Sequence, residues 1–256
     1  MKISIITATC NSESSIGDTL DSIAMQDCPR DRIEWVVIDS ASTDRTLDII
    51  KQSEFQPDRL LSEPDKGIYD ALNKGVRMAT GDAVGFLHSD DFFASADVLS
   101  RLAGIFNESE AEAVYGDLQY VRQASNGTFP VVRNWRSGAY SPRKLRWGWM
   151  PPHPALYVKK EVYERVALAD GNFFDVSYRC AADYDFILRM FSKYDINPVY
   201  IEKVLVKMRL GGISNRSLRH IAQKSREDWQ AIRQNRIGHL HTLAWKNISK
   251  LKQFFP

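Results

Sequence analysis

The sequence predicts an α/β fold in which a mostly parallel sheet is flanked by helices and followed by a helical C-terminal extension. The main observation is that short β-branched runs alternate with amphipathic stretches in the first third of the chain. The predicted strands span residues 2–9, 34–39, 58–62 and 82–88, and the predicted helices span residues 16–25, 43–51 and 68–79. Alternation at this pace is typical of a parallel sheet with both faces covered.

The remaining chain has a less regular pattern. Residues 134–154 contain Pro, Gly, Trp and Arg without a period, which predicts a long functional loop. Residues 181–194 have a strong apolar face and predict a helix, and from residue 214 onward the pattern is again helical. The other predicted elements are a strand hairpin at 114–121 and 129–133, a strand at 155–158, a helix at 159–166 and paired strands at 197–210.

Composition narrows the class of protein. The 256 residues are 44% hydrophobic and 26% charged, which is typical of a globular chain with one large domain and an appendage. A net charge of +2 gives no sign of nucleic-acid binding. Three separated cysteines, no signal-peptide pattern and no apolar run of about 18 residues favour a cytoplasmic protein. A peripheral position at the inner face of the cell membrane stays open.

Four predicted strands end in polar residues. These ends are residues 7–11, 39–44, 62–67 and 88–91. Because the carboxyl ends of parallel strands share one edge of the sheet, and ligands bind beyond that edge, we expect one polar crevice there.

Adjacent carboxylates occupy the last of these ends. Asp90 and Asp91 supply the oxygen ligands that a hard divalent cation prefers, with positions left open for phosphate oxygens. Such a cation would neutralise a departing nucleotide diphosphate. The alternative is that these residues cap the following helix.

The other strand ends carry residues suited to a nucleotide. Thr7, Thr9 and Asn11 are small polar residues that could contact a base or ribose. The Asp39 carboxylate could accept a hydrogen bond from the donor edge of a base. Lys66 could bind phosphate, and a solvated turn lysine is an equal alternative.

Six segments together resemble the family 2 glycosyltransferases, which have the GT-A fold. They are "SIITATCNSE", "VVIDSASTDRT", "SEPDKGIYDALNKG", "ATGDAVGFLHSDD", "HPALYVKKEVYERV" and "AADYDFILRM". The resemblance covers residues 2–210 and is closest to the branch that builds bacterial surface polysaccharides such as colanic acid. It implies a glycosyltransferase domain at residues 1–212, with a nucleotide-binding half at 1–95 and an acceptor half at 96–212, and then a helical extension at 213–256.

The resemblance also implies residue roles in the nucleotide half. It implies that Thr7, Asn11, Asp39 and Asp65 lie on the nucleotide, with Asp39 at the base. It identifies Asp90 with the metal-binding end of the family's DxD element, and hence implies Mn²⁺ or Mg²⁺ as a cofactor.

This DxD element is unusual. Here it reads His88-Ser89-Asp90, so an imidazole replaces the first carboxylate. A softer nitrogen would favour Mn²⁺ as a ligand, or else His88 lies outside the metal's ligands. Asp91 is the further candidate ligand.

Asp183 corresponds to the catalytic base of the family's Glu-Asp pair, although Ala182 replaces the acid before it. It begins a predicted helix whose buried stripe holds its position, while Asp185 lies on another face. A carboxylate there could take the proton of an acceptor hydroxyl as the oxygen attacks the anomeric carbon. The family inverts that centre. The chain lacks the Gln-x-x-Arg-Trp element of processive synthases, which favours addition of one sugar per encounter.

The acceptor candidates lie in the irregular loop and just after it. Aromatic faces there could stack on sugar rings and arginines could hold a diphosphate, with core or lid packing as the alternative for the tryptophans. The candidates are Trp135, Trp147, Arg136 and Arg143, together with the predicted acceptor residues Trp149, Arg146 and His153. At the C-terminus, residues 237–255 could lie in a membrane interface or pack on the main domain. The predicted apolar stripe is Ile237, Leu240, Ala244, Ile248, Leu251 and Phe255, with Lys246, Lys250 and Lys252 outside it.

The sequence as a whole predicts an inverting, metal-dependent, non-processive glycosyltransferase. Its donor would be a UDP-, GDP- or dTDP-linked sugar, and its acceptor a hydroxyl on a lipid-linked intermediate of surface polysaccharide synthesis. Two alternatives stay open. A nucleotidyltransferase would normally show a Gly-rich loop after the first strand, which "TATCNSESS" lacks. A non-catalytic nucleotide-sugar binder would not need Asp90 and Asp183.

Overall fold

A mixed sheet organises the protein, and a computed structural model describes residues 1–210, 218–249 and 253. Among these residues the sheet has nine strands in the order β3-β2-β1-β4-β8-β6-β9-β5, with β7 paired to β6. The strands are β1 Ile3–Thr9, β2 Ile33–Asp39, β3 Arg59–Ser62, β4 Ala83–Phe86, β5 Asp91–Phe93, β6 Ala113–Val121, β7 Val131–Trp135, β8 Leu156–Lys159 and β9 Pro198–Arg209.

Helices cover both faces of this sheet. Ile6 and Ala8 of β1 pack in the same apolar cluster as α3, α6, α7 and α8, whereas Ile3 and Ile5 pack with α1, α2 and α4. This alternation is the period of two expected of a strand that is buried on both faces. The helices are α1 Ile16–Ala24, α2 Thr46–Gln52, α3 Ile68–Met78, α4 Val98–Glu108, α5 Pro142–Leu145, α6 Lys160–Arg165, α7 Ala182–Lys193, α8 Leu218–Gln234 and α9 Leu240–Ser249.

The first four strands are parallel, as the sequence predicts. β1 pairs with β2 and β4, and β2 pairs with β3. The register places Thr9 beside Asp39 and Asp39 beside Ser62, so three strands end in line. The other half is mostly antiparallel, with β8 between β4 and β6.

One strand, β9, replaces the predicted pair of strands at 197–210. It runs unbroken for twelve residues, pairs with β6 in parallel and pairs with β5 in antiparallel orientation. The sequence predicts two strands because the exposed residues Glu202 and Lys203 interrupt the apolar pattern of β9, as the residues of a turn would. The register shifts opposite Asp117 show an irregularity in the pairing at this point rather than a reversal of the chain.

Residues 134–154 are more ordered than the predicted loop. Their first two residues complete β7, and residues 153–155 form a single 3₁₀ turn. Between them lies the short helix α5, which Ser141 caps by accepting a hydrogen bond from the backbone N–H of Lys144. Pro at the first helical position also favours a helix start there.

The C-terminal helices pack on the main sheet domain. Ala231 and Ile232 of α8 belong to the same core cluster as α7, and the Glu227 carboxylate accepts hydrogen bonds from the backbone N–H groups of Arg179 and Cys180. Within the described ranges, no helix combines the length and apolarity that a bilayer crossing requires. The division of the chain at residues 95 and 212 stays a prediction.

The expected orientation of α9 is wrong in one respect. Lys246, predicted on the outer polar face, is buried and pairs with Asp228 at 2.7 Å. Its ammonium group also lies 3.2 Å from the centroid of the Tyr184 ring, so two buried partners hold it inward. Leu240 and Ile248 are exposed, whereas Ile237 is buried. Lys250, Leu251, Lys252 and Phe255 lie outside the described residues.

Candidate active site

The rim of the predicted crevice is built around Asp39. Its carboxylate is fully buried and accepts hydrogen bonds from the backbone N–H of Ser42 at 3.0 Å and from the hydroxyls of Ser42 and Ser62. These contacts tie the loop after β2 to the end of β3. Asp39 therefore organises the crevice rim through its own hydrogen bonds.

The loops after β1 and β2 meet at Asn11. This residue has a φ of 48°, in the left-handed region that Asn tolerates better than most residues. Its side-chain oxygen accepts from the backbone N–H of Thr43 at 2.9 Å, and its own N–H donates to the Ser42 hydroxyl at 2.8 Å. Asn11 is exposed at the rim, where a ligand could reach it.

The two threonines of β1 have different environments. The Thr7 hydroxyl is buried and accepts a hydrogen bond from the Trp35 indole N–H at 3.0 Å, so the structure does not bring it to the rim. The Thr9 hydroxyl is buried and has no hydrogen-bond partner among the described residues. Thr9 also pairs directly with Asp39 across the sheet.

Asp65 lies at the next strand end and Lys66 does not join it. The Asp65 side chain contacts the Lys74 ammonium at 2.6 Å, and its second oxygen is buried without a partner in the described structure. The Asp65 backbone N–H donates to the Ser40 hydroxyl at 3.3 Å. The Lys66 side chain is exposed, and the Lys66 backbone N–H donates a hydrogen bond to the Asp70 carboxylate at 3.1 Å.

Helix α1 holds the turn after β4. The Thr19 hydroxyl contacts the carbonyl oxygens of His88 and Asp91 at 3.3 and 2.7 Å, and the hydroxyls of Ser12 and Ser89 are 2.8 Å apart. The backbone that carries Asp90 is therefore fixed by Thr19 of α1 and by Ser12 of the loop after β1.

The carboxylates of this turn diverge. Asp91 belongs to β5, is buried, and accepts a hydrogen bond from the backbone N–H of Arg209 on β9 at 3.3 Å. Burial and the neighbouring charge of Asp90 raise the pKa of Asp91 well above its ordinary value. Neither Asp90 nor Asp91 caps α4, because Asp97 is the N-cap residue of that helix. Asp90 is partly exposed and makes no hydrogen bond or ion pair with the described residues.

Two histidines and Asp183 lie beyond the turn. The His88 and His153 rings are 6.2 Å apart, and each has one buried nitrogen without a partner among the described residues. Burial lowers the pKa of His88, against the opposing charges of Asp90 and Asp183, and lowers the pKa of His153 to about 4. Both imidazoles are therefore neutral at pH 7. The charges of Asp90 and Asp183 both act on the pKa of His88, so both carboxylates lie in its neighbourhood.

Asp183 starts α7 and is held by a tyrosine. The Tyr69 hydroxyl donates to its carboxylate at 3.0 Å. Burial alone would raise the pKa of Asp183, but the neighbouring cations and the Tyr69 hydrogen bond outweigh it and lower the pKa. The cations are His153, which is charged only in the acidic range where this carboxyl titrates, and Lys224 and Lys246. Asp183 is thus an ionised carboxylate at neutral pH, the form that can accept a proton.

The prediction that Asp185 lies on another face is confirmed. Its carboxylate accepts a hydrogen bond from the Asn235 amide at 2.7 Å and lies 3.5 Å from the Arg189 guanidinium. These contacts join α7 to the end of α8. Asp185 is therefore a buried anchor, which leaves Asp183 as the carboxylate of this pair that faces the crevice.

Sequence reasoning misses Tyr69 and Lys224. Tyr69 is 114 residues from Asp183, and its position on α3 resembles any other core-facing position. Burial would lower the pKa of Lys224, but the charges of Asp183 and Asp228 raise it, so α8 brings a cation to the crevice. Lys224 lies in a charged helix without a motif, and no local signal marks it.

The three predicted acceptor residues are not brought together. His153 stacks on Phe86 with ring centroids 4.6 Å apart, beside His88. The Trp149 indole N–H donates to the Ser137 carbonyl oxygen at 2.7 Å, in the segment that follows β7. Arg146 is exposed, and its carbonyl oxygen accepts from Thr242.

The turn after β4 fits a divalent cation only in part. Among the described residues, no three His, Cys, Asp or Glu side chains converge to hold a metal by themselves. A cation here would take its other ligands from phosphate oxygens and water, as Mg²⁺ commonly does in nucleotide enzymes. Unpaired Asp90 and the buried Nδ1 of His88 suit that arrangement.

These features define a class of protein. Parallel strands that end in a polar crevice, a mixed and mostly antiparallel second half and helices on both faces make up the GT-A fold of nucleotide-diphospho-sugar transferases. The chain belongs to glycosyl transferase family 2, whose family model matches residues 4–165. It is therefore a glycosyltransferase.

Curated relatives agree with this family. A PGL/p-HBAD biosynthesis glycosyltransferase of Mycobacterium bovis is 34% identical over 219 residues, which cover 83% of this chain and 78% of that protein. Poly(ribitol-phosphate) beta-N-acetylglucosaminyltransferase TarS of Staphylococcus aureus is 32% identical over 117 residues, which cover 44% of this chain and 20% of TarS.

Solved structures share the fold. The S. aureus TarS 1–349 structure in complex with UDP-GlcNAc has a TM-score of 0.67 at 20% identity and covers 92% of this chain. This chain spans 65% of that TarS fragment. The Pyrobaculum calidifontis mannosyltransferase in complex with GDP-Man and Mn²⁺ has a TM-score of 0.63 at 20% identity, with coverage of 99% and 72%.

Proposed function

We propose that this glycosyltransferase moves one sugar from a nucleotide-sugar donor to an acceptor hydroxyl, with inversion at the anomeric carbon. The observation that carries the proposal is Asp183, an ionised carboxylate at the start of α7 that accepts a hydrogen bond from the Tyr69 hydroxyl. UDP-GlcNAc in the TarS structure and GDP-Man in the mannosyltransferase structure are nucleotide diphospho-sugars, which supports a donor of that class.

The nucleotide would occupy the rim at the ends of β1, β2 and β3. Exposed Asn11 could contact the base or ribose, and Asp39 would support the base through the Ser42 loop that it holds. Thr9 and Asp65 each keep a buried oxygen without a partner among the described residues, so both can accept new contacts. Thr7 would act indirectly, by accepting the hydrogen bond that fixes the Trp35 ring. The exposed Lys66 side chain could reach a phosphate group of the nucleotide.

A divalent cation would be held by Asp90, with His88 as a further ligand and Asp91 in a supporting position. When bound, it would neutralise the charge that develops on the leaving diphosphate. Mn²⁺ in the mannosyltransferase structure supports this cofactor. Lys224, which α8 brings near Asp183, adds a protein cation to the same crevice.

The proposed chemistry at Asp183 is a single displacement. Asp183 accepts the proton of the acceptor hydroxyl as that oxygen attacks the anomeric carbon from the face opposite the diphosphate. The Tyr69 hydroxyl and the nearby lysines keep the carboxylate ionised until then. His153, neutral and buried beside this carboxylate, could orient the sugar by a hydrogen bond from its ring.

A lipid-linked acceptor and peripheral membrane contact are further parts of the proposal. Helix α9 buries Thr242 and Lys246 while Leu240 and Ile248 stay 66% and 52% exposed. A helix that turns apolar side chains outward and polar ones inward suits a membrane interface rather than core packing. Enzyme and acceptor would then share one surface.

A nucleotide-sugar panel tests the proposal. Purified protein is incubated with UDP-, GDP- and dTDP-sugars, with Mn²⁺ or with a chelator, and release of the nucleoside diphosphate is measured. We expect one donor to be turned over in Mn²⁺ and the rate to fall roughly a hundredfold after chelation. Turnover that is insensitive to chelation would contradict the metal role, and absence of turnover with every donor would contradict the proposed donor class.

A further inference from the structure

A cleft of about 720 Å³ lies outside the crevice, between β7, the segment after it and α9. Its volume is in the range of small-molecule binding sites. None of the proposed nucleotide, metal or base residues lines it. Its described lining instead combines four tryptophans with three exposed cations, and the buried Lys246 also borders it. The tryptophans are Trp135, Trp147, Trp149 and Trp245, and the exposed cations are Arg136, Arg143 and Lys144.

The tryptophans offer apolar faces to a ligand. Trp147 and Trp245 meet at an interplanar angle of 74° with ring centroids 5.8 Å apart, and they are 51% and 45% exposed. Trp149 is fixed by its hydrogen bond to Ser137 and by an edge contact with Tyr115. Rigid, partly open indole faces of this kind suit the apolar faces of sugar rings.

The charged residues in the described lining of the cleft are all cations. No Asp or Glu is among the described residues that line it. The side chains of Arg136, Arg143 and Lys144 are exposed, and the Lys144 ammonium donates to the Ala139 carbonyl oxygen at 2.7 Å. Guanidinium groups bind phosphate oxygens through two parallel hydrogen bonds, so this lining favours an anionic ligand that carries phosphate.

The cleft adjoins the proposed base. Lys246 belongs to its lining, lies over the ring of Tyr184 and is one of the charges that lower the pKa of the adjacent Asp183. Through Lys246 the cleft lining therefore contacts α7, the helix that carries Asp183.

We propose that this cleft binds an acceptor saccharide that bears a phosphate group, with sugar rings on Trp147 and Trp245 and the phosphate on Arg136 and Arg143. The acceptor role rests on the proposed function, whereas the binding of a phosphosugar can be measured by itself. The sequence also predicts sugar and phosphate contacts from the tryptophans and arginines of residues 134–154. The structure adds Trp245 of α9 to that set and leaves Arg146 and His153 outside the described lining of the cleft.

Binding of simple probes tests it. The donor crevice is first saturated with UDP and Mn²⁺, and the dissociation constants of glucose 1-phosphate, methyl glucoside and inorganic phosphate are measured by ligand-observed NMR. We expect glucose 1-phosphate to bind roughly tenfold more tightly than either other probe, because only it uses both parts of the cleft. The double variant Arg136→Gln/Arg143→Gln should lose this preference, while the control Arg122→Gln/Arg226→Gln should keep it.

Several results would overturn the cleft assignment. They are equal affinity for methyl glucoside and glucose 1-phosphate, equal affinity for inorganic phosphate, or an unchanged preference in the Arg136→Gln/Arg143→Gln variant. Folding of the variants is checked by their thermal unfolding. Wild-type turnover of a nucleotide sugar, measured separately, distinguishes the two claims: turnover without a probe preference contradicts the cleft alone, and a probe preference without turnover contradicts the proposed function alone.

Discussion

At the scale of single residues, a hydrogen bond from Tyr69, which is distant in the sequence, helps to keep the Asp183 carboxylate ionised. The Tyr69 hydroxyl donates to the charged carboxylate, and a bond to the charged form lowers the pKa of an acid. Burial, the largest cause, and the charge of Asp183 raise the pKa of Tyr69 well above its ordinary value, so the hydroxyl keeps its proton. The sequence predicts Asp183 from a motif, but it has no local signal for a partner 114 residues away.

The variant Tyr69→Phe removes this donor. We expect the pKa of Asp183 to rise, the acid limb of the kcat/KM profile to move to higher pH, and kcat to fall about threefold to tenfold. Tyr178→Phe is the matched control, because Tyr178 donates to Gln234 at 2.6 Å, away from Asp183. A pH profile that is the same in Tyr69→Phe and wild type would show that Tyr69 does not tune the base.

Glu34 shows the same principle acting on stability. Burial would raise its pKa, but hydrogen bonds from Ser4 and Thr80 lower it to about 2. Because the unfolded carboxyl titrates near 4.5, ionised Glu34 contributes stability that is fully present above that pH and is lost as the pH falls toward 2.

We expect Glu34→Gln to lower the free energy of unfolding by up to about 3 kcal/mol at pH 7. The difference between this variant and wild type should shrink as urea unfolding is repeated from pH 5 down to pH 3. Glu161→Gln, an exposed change on α6, is the control and should show no such trend. A pH-independent difference for Glu34→Gln would contradict the assigned ionisation.

At the scale of elements, contacts between distant segments determine which side chains of a helix are buried, and the local sequence pattern cannot predict this. The apolar stripe of α9 is visible in the sequence, but the burial of Lys246 depends on Asp228 and on Gly148. Gly148 has a φ of 75°, and a Cβ added there would lie 2.7 Å from both the Lys246 Cβ and the Thr242 carbonyl oxygen. Only glycine permits α9 to approach this closely.

Gly148→Ala should therefore loosen α9. We expect it to lower the free energy of unfolding by about 2 to 4 kcal/mol and to speed amide exchange in α9. Gly127→Ala is the matched control, since Gly127 has a φ of 80° but no atom within 4 Å of the added Cβ. Equal effects of the two changes would show that backbone strain alone, and not the close approach of α9, explains why position 148 requires glycine.

The outward face of α9 makes a separate prediction. We expect Leu240→Gln/Ile248→Gln to weaken co-sedimentation with anionic phospholipid vesicles at least about tenfold, because both side chains would leave the apolar interface. Leu60→Gln, an exposed leucine on the edge strand β3, should have no effect. Undiminished binding by the double variant would exclude this face as the membrane contact.

At the scale of the whole molecule, the parallel half of the sheet is predictable and the second half is less so. Strand period, helix period and polar strand ends are local signals, and they predict β1 to β4 and the rim at Asp39 and Asp90. The single strand β9 is not predicted, because exposed Glu202 and Lys203 imitate a turn in the sequence. The divergence of Asp90 and Asp91 follows from the pairing of β5 with β9, a long-range contact.

The central claim is that Asp183 is the base of a sugar transfer. The most direct measurement compares Asp183→Asn with wild type and with Asp195→Asn, an exposed change beyond α7, in both transfer rate and donor affinity. We expect Asp183→Asn to lower kcat roughly a hundredfold to ten-thousandfold while the donor dissociation constant and thermal unfolding stay unchanged. An unchanged transfer rate at unchanged donor affinity would contradict this claim.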